Sequence, residues 1–526
     1  MIWAYGNMRR RAAAAGIAGA VLTLGFLVLA PEVQAAPGAS EIKDALEDNA
    51  HPLDSAGLSL NRDVLTAAYK GRDFEPVWTA PEMTEAFEAA LGNSGREGLD
   101  PESFDLSKLK AALAGSSLTP VDRELLLSDR FLAYAQVLAQ GAVPPSAIED
   151  DWLLARPGFD PDAVLGALAR SRDAGATLTA LLPTVPDYDR LRQMLEHYAL
   201  LAKAGGWQTI VSDQKIEPGA KGDVVKALRA RLAVEGDLDP AQARGDTYDP
   251  AVVAAMKHFQ LRHGLEADGR VGVSTLTTLN VSAADRVEQI KLTLERWREM
   301  PRNFPASRVV VNIPSAELTL YRDGETALTS RVVVGDVDHP TPVLSARIIS
   351  ALFNPPWNVP ASITKKELVP KIKHDPGYLE RNHYVYVGSR IQQTPGPWNA
   401  LGGVKFELPN PLDVYLHDTP AKPLFNRPVR AASHGCVRVQ QARPLASTLL
   451  GDAWPAEAVD GAIAAGQTKR VYLKVVMPVY LLYLTAFTDE DGTAEFRDDI
   501  YGRDHDLADA LEDRDIRRRF PGAPAG

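Results

Sequence analysis

Cys436 is the single cysteine among 526 residues, and it stands in Ala432-Ser433-His434-Gly435-Cys436-Val437-Arg438-Val439. A thiol beside histidine, glycine, serine and arginine has the parts of a nucleophilic site. The attacking form is the thiolate, so a thiol with an ordinary pKa of about 8.5 needs a neighbouring base. Two histidines compete for that role: His434, in the same octapeptide, and His417, in Val414-Tyr415-Leu416-His417-Asp418-Thr419. On an extended strand His434 and Cys436 share a face, but side chains two apart bond each other poorly, whereas a histidine ending a neighbouring strand approaches face on. His417 is therefore the expected general base, and His434 a support for the loop.

The residues around the thiol suit acyl transfer. Gly435 has no Cβ, so its peptide and that of Cys436 can turn N–H groups toward an oxyanion, and one such donor lowers the barrier by about 3 kcal/mol. Arg438 shares the facing of Cys436 and can present a bidentate fork to a substrate carboxylate. Ser433 can hydrogen-bond within the turn or donate to substrate, and Tyr415, facing as His417 does, lines the pocket. Asp418 faces the other way, so a main-chain carbonyl is expected to orient His417. A competing chemistry uses His417, His434 and Cys436 as three zinc ligands; under the nucleophile reading no metal or cofactor is needed.

The elements that must position these residues change character along the chain. From Glu41 to about residue 210 the sequence reads as helices joined by Pro/Gly turns, with apolar spacing over Glu124–Gln140 and Tyr188–Ala204. Its aromatics, Tyr69, Phe74, Trp78, Phe104, Trp152 and Trp207, read as packing. Residues 216–282 form a unit of three short helices: Val224, Leu228 and Leu232 repeat, Asp249-Pro250 caps the second helix, and Ser274 caps a third ending at Leu279. Arg286–Met300 is a connecting helix. Strands begin near Arg308, with an Asp323-Gly324 hairpin, and recur at Arg347–Phe353, Val404–Phe406, Val414–His417, Val471–Val476 and Val479–Ala486. Between 360 and 398 a helix over Ser362–Lys373 and a polar Pro/Gly loop interrupt that pattern, a length suited to a lid. The predicted fold is multidomain α+β: helical domain 41–210, three-helix domain 216–282, β-rich domain 305–488 with lid 360–398, and a fraying tail 504–526.

Composition narrows the setting. Arg9, Arg10 and Arg11, the apolar run Ala12–Ala30 and Val33-Gln34-Ala35 predict a cleaved export signal over 1–35, with an uncleaved membrane anchor as the alternative. Its removal takes away three Arg and one Glu, moving the formal charge from −11 to −13, which argues against nucleic acid or an anionic membrane as partner. An exported protein with one cysteine closes no internal disulfide, and an idle thiol in an oxidising compartment is a liability.

Two resemblances follow from these residues. Gly222-Asp223-Val224, Phe259-Gln260, Gly264-Leu265, Asp268-Gly269-Arg270-Val271-Gly272 and Leu279 resemble a peptidoglycan-binding module. Ser433-His434-Gly435-Cys436-Val437-Arg438 with His417, Asn354-Pro355-Pro356-Trp357-Asn358-Val359-Pro360, Pro395-Gly396-Pro397-Trp398-Asn399 and Asp499-Ile500-Tyr501-Gly502 are similar to the signature of L,D-transpeptidases, in their large periplasmic branch. The resemblance implies that Cys436 attacks the bond between diaminopimelate and D-alanine in a peptidoglycan tetrapeptide stem and passes the acyl group to the diaminopimelate amine of a second stem. It also implies acylation by carbapenems and a part in cell wall remodelling and cell shape, with cell wall synthesis proteins as partners. Outer-membrane protein attachment and D-amino-acid exchange are alternative outcomes of the same thioester, and a catalytically dead wall-binding protein is the reading from another class.

Overall fold

The computed structural model describes residues 36–512; the expected export signal lies outside the described residues, as does the stretch 513–526. Three large apolar cores and one small one organise them. The first gathers helices between Ile42 and Leu178, where Trp78, Phe87 and Phe131 meet as a ring cluster with centroids 5.6–5.7 Å apart. Glu124 is buried there because it accepts from the Tyr69 hydroxyl and the Val77 and Trp78 N–H groups. The second core, from Ile210 to Leu279, fills a unit of helices Asp223–Val234, Pro250–Arg262 and Val273–Leu279. Its last helix starts at Val273 with Gly272 at the N-cap, so Ser274, expected as the cap, lies inside the first turn.

The third core sits inside a ring of strands. β1 (Arg308–Asn312), β2 (Glu317–Arg322), β3 (Glu325–Gly335), β4 (Val343–Phe353), β5 (Val404–Glu407), β6 (Leu416–His417), β7 (Ala431–Ser433), β8 (Val437–Val439) and β9 (Lys469–Leu482) supply it. The pairing runs β5, β6, β8, β3, β2, β1, β9, β4, and because β5 also pairs with β4 the ring closes. β7 joins β3 in parallel, and Trp152–Leu153 adds a short parallel strand to β4. Asp323 and Gly324, with φ of 52° and 92°, make the two-residue turn between β2 and β3. The two strands read over Val471–Val476 and Val479–Ala486 are largely one, β9, kept continuous by an irregularity between Tyr472 and Met477.

The segment expected to form a lid has its own small core of Val359, Leu368 and Ile391, with Trp357, Tyr378 and Tyr384 packed on it. Where a polar loop was expected, Tyr384–Val387 and Arg390–Gln393 form a hairpin, extended by Trp357–Asn358 into a three-stranded sheet. Gly388, at φ 61°, lets the chain reverse between them. The expected helix is present over 361–374 but widens to a π turn at Thr364–Leu368. Pro370 has no N–H to donate to the preceding turn, which accounts for the break in regular α pairing.

The tail expected from 504 onward is instead helical over Arg503–Glu512. Its side chains are anchored: Asp504 pairs with Arg296 and accepts from Thr485 Oγ1 at 2.6 Å, while Arg503 reaches Asp151 at 2.5 Å and Glu149 at 3.2 Å.

Candidate active site

The register of three short strands assembles the site. β5 and β6 set Lys405 opposite His417, and β6 and β8 set His417 opposite Arg438, so these three side chains form one row across the ring. The neighbouring row, Phe406, Leu416 and Val437, is fully buried in the core. Alternation along a strand thus gives one apolar row facing in and one polar row facing out. Tyr415 and His417 share the outer face, as do Cys436 and Arg438.

His417 is 5% exposed, and its Nδ1 lies 2.5 Å from the main-chain oxygen of Asp418. A carbonyl only accepts, so Nδ1 carries the proton and Nε2 keeps its lone pair. Burial, then the nearby Arg438 and, more weakly, Lys405, lower the imidazole pKa to about 3. His417 is therefore neutral at any ordinary pH. The Asp418 carboxylate is used elsewhere: it accepts from Gly403 N–H at 2.9 Å and from Lys422 Nζ at 2.5 Å, under Gly402 at φ 60°, where a Cβ would meet it at 2.6 Å.

Cys436 follows a turn in which Gly435 has φ 98°, a conformation glycine adopts without strain. Ser433, buried, spends its hydroxyl inside that turn, donating to the Cys436 carbonyl at 2.5 Å and accepting from Gly435 N–H at 3.2 Å. Of the two N–H donors expected for an oxyanion, that of Gly435 is thus engaged, and that of Cys436 has no hydrogen-bond partner among the described residues. The Gly435 carbonyl accepts from Thr341 Oγ1 at 2.9 Å, Thr341 N–H donates to the Tyr501 hydroxyl at 3.2 Å, and that hydroxyl donates to Gly335 O at 2.7 Å.

The thiol points to the Asp413 carbonyl at 4.0 Å. Burial raises its pKa above the ordinary thiol value, opposed by the N–H and hydroxyl of Tyr415 and by the charges of Lys405 and Arg438. Tyr415 stacks edge to face with His417, centroids 5.5 Å apart, and the Lys405 ammonium lies 3.8 Å from the Tyr415 ring centre. Lys405 was missed in the sequence, where a lysine alternating with apolar residues reads as solvent-facing; only its register opposite His417 reveals it. Neither Lys405 nor Arg438 has an ion-pair partner among the described residues.

His434 does not share the outer face with Cys436. The turn rotates it outward, where it is exposed, stacks on His339 with centroids 4.6 Å apart, and brings Nε2 to 2.7 Å from Glu367 Oε1 in the lid. Among the described residues no three His, Cys, Asp or Glu side chains are grouped to hold a metal ion, so the three-ligand zinc alternative lacks its donor set. What remains is a half-buried thiol, a neutral imidazole with a free Nε2, a free peptide N–H and two cations without ion pairs among the described residues, an arrangement suited to nucleophilic attack on a carbonyl beside a carboxylate.

Comparison with known proteins places these parts. Residues 306–473 match the L,D-transpeptidase catalytic domain, residues 63–195 match a scaffold domain, and residues 221–279 match a domain provisionally described as peptidoglycan binding. A Haemophilus influenzae protein provisionally named an L,D-transpeptidase is 34% identical over 255 residues, which is 44% of this chain and 51% of that protein. The chain thus spans about half of that relative. Among solved structures, an L,D-transpeptidase of Xylanimonas cellulosilytica aligns at 19% identity over 52% of this chain and 99% of its own, with a TM-score of 0.19. One of Stackebrandtia nassauensis aligns at 15% identity over 52% and 97%, with a TM-score of 0.23.

Proposed function

We propose that this chain, which carries an L,D-transpeptidase catalytic domain at residues 306–473, crosslinks peptidoglycan outside the cytoplasm through a thioester on Cys436. The domain provisionally described as peptidoglycan binding, at 221–279, supports the polymer as substrate. The single observation that carries the mechanism is the shared outer face of Tyr415, His417, Cys436 and Arg438, set by the register of β6 and β8.

In this reading His417 Nε2 takes the Cys436 proton as sulfur attacks the carbonyl between diaminopimelate and terminal D-alanine. The developing oxyanion meets the Cys436 N–H, and Arg438 receives the D-alanine carboxylate. His417 returns the proton to the leaving D-alanine amine, and the acyl group stays on sulfur. The amine of a second stem then attacks the thioester, the C–S bond breaks, and the thiol is restored through His417. Thioester sulfur is a good leaving group toward an amine, and a lid held by Glu367 and His434 limits access of water. Ser433 and Gly435 shape the turn, and Tyr415 steadies the thiol. The same thiol should be acylated by carbapenems, read as a mass adduct on Cys436.

Purified tetrapeptide muropeptides incubated with the protein should yield free D-alanine and a crosslinked dimer, resolved by mass. Cys436→Ala should give neither while still sedimenting with sacculi. Crosslinking undiminished in Cys436→Ala would remove the cysteine from the reaction. A dimer replaced by a wall-linked protein or an exchanged D-amino acid would keep the chemistry and change the acceptor.

A further inference from the structure

Behind Tyr415 lies a cavity of about 260 Å³ whose walls include Lys405, Glu407, Asn410, Asp413, Val414 and Tyr415. Most of its polar groups are already committed. Glu407 accepts from Arg470 at 2.6 and 2.9 Å and from Ser350 Oγ at 2.5 Å. Asn410 donates to the Leu408 and Val414 carbonyls at 2.6 and 2.7 Å and accepts from the Leu412 and Val414 N–H groups, so it holds the loop. Two opposite charges remain. Lys405 and Asp413 line the same cavity without an ion pair between them or with any other described residue. Lys405 is half-buried over the Tyr415 ring, feels Glu407 and Asp413 only from beyond ion-pair distance, and carries a desolvation cost that a ligand carboxylate would offset.

We infer that this cavity receives the acceptor stem as an amino-acid zwitterion, its carboxylate on Lys405 and its amine, borne by the same carbon, beside Asp413. The inference rests on the transpeptidase reading. The donor's D-alanine end does not fit the pair, because its amine is already acylated and leaves Asp413 without a partner; the donor's own side-chain amine and carboxylate would fit, but holding them there would change thioester formation and not its partition. The row also divides naturally: Arg438 and Lys405 flank His417 from opposite sides, so one base can protonate the amine leaving on one side and deprotonate the amine arriving on the other. The arriving ammonium releases one proton to solvent. As its nitrogen attacks the thioester carbon, the N–C bond forms, the C–S bond breaks, and the second proton passes through His417 to the Cys436 sulfur.

The test is the partition of the acyl-enzyme. With tetrapeptide muropeptides, crosslinked dimer and hydrolysed tripeptide are each measured per D-alanine released, so changes in the rate of thioester formation cancel. Loss of one charge-assisted contact predicts a dimer-to-tripeptide ratio lower on the order of tenfold in Lys405→Gln, a fall in the same direction in Asp413→Asn, and recovery in Lys405→Arg. An acceptor with that carboxylate converted to the amide should be used poorly by the wild-type protein and not further worsened by Lys405→Gln. An unchanged ratio in Lys405→Gln, or an amide acceptor penalised alike in both proteins, overturns the inference while leaving the transpeptidase reading intact. A wild-type protein that releases no D-alanine overturns that reading and this inference with it.

Discussion

Cys436 and His417, on neighbouring strands, are each held neutral: burial pushes the thiol up, and burial with the Arg438 charge takes the imidazole down to about 3. In the proposed mechanism such a pair does not rest as a thiolate and imidazolium, and the proton moves during attack. Since the thiol is raised, its reactive form grows as pH rises through and beyond the ordinary thiol value of about 8.5. Alkylation of Cys436 by iodoacetamide should therefore be slow at pH 7 and still be climbing near pH 9, and a plateau already reached below pH 7 would show a resting ion pair instead. The cysteine was legible in the sequence by its solitude, and His417 by the geometry of strand neighbours. Lys405 and the engaged Gly435 N–H were not, because cross-strand register and the Ser433 rotamer arise only once the ring has closed.

The proposed lid and the cysteine turn are joined by a polar contact, Glu367 to His434. The π turn over Thr364–Leu368 widens the helix where Glu367 projects, so the break imposed ahead of Pro370 also places the clasp. Both side chains are 38% exposed, so the contact contributes on the order of 0.5 kcal/mol. Glu367→Ala should accordingly raise hydrolysis of the acyl-enzyme about twofold relative to amine transfer, with thioester formation little changed. Identical partition in the two proteins would leave the clasp without a part in guarding the thioester. The helical half of the lid was readable from spacing. Its hairpin was obscured by Gly388 and by exposed Val385, Tyr386 and Val387, a strand face with little core behind it to impose the usual alternation.

Helix Ala283–Glu299 holds the molecule together. Its apolar face, with Ile290, Leu294 and Trp297, was expected; that its charged face is buried as well was not, because that follows from being surrounded. Arg298 donates to Glu295 at 2.6 Å, to the Glu97 carbonyl at 2.7 Å and to the Tyr188 hydroxyl at 3.0 Å, tying the helical region to the connecting helix. Replacing it leaves Glu295 with an uncompensated buried charge, so Arg298→Ala should lower unfolding free energy by about 3–5 kcal/mol in a denaturant titration, and a loss below about 1 kcal/mol would mean that water takes over the role. Arg296 and Arg503 bind the last helix to the same structure. Just before that helix, the Tyr501 hydroxyl supports Thr341, and Thr341 supports Gly435. The thiol at 436 precedes the tyrosine at 501 that fastens its turn, so a chain cut back between the two keeps the nucleophile and loses one support of its turn.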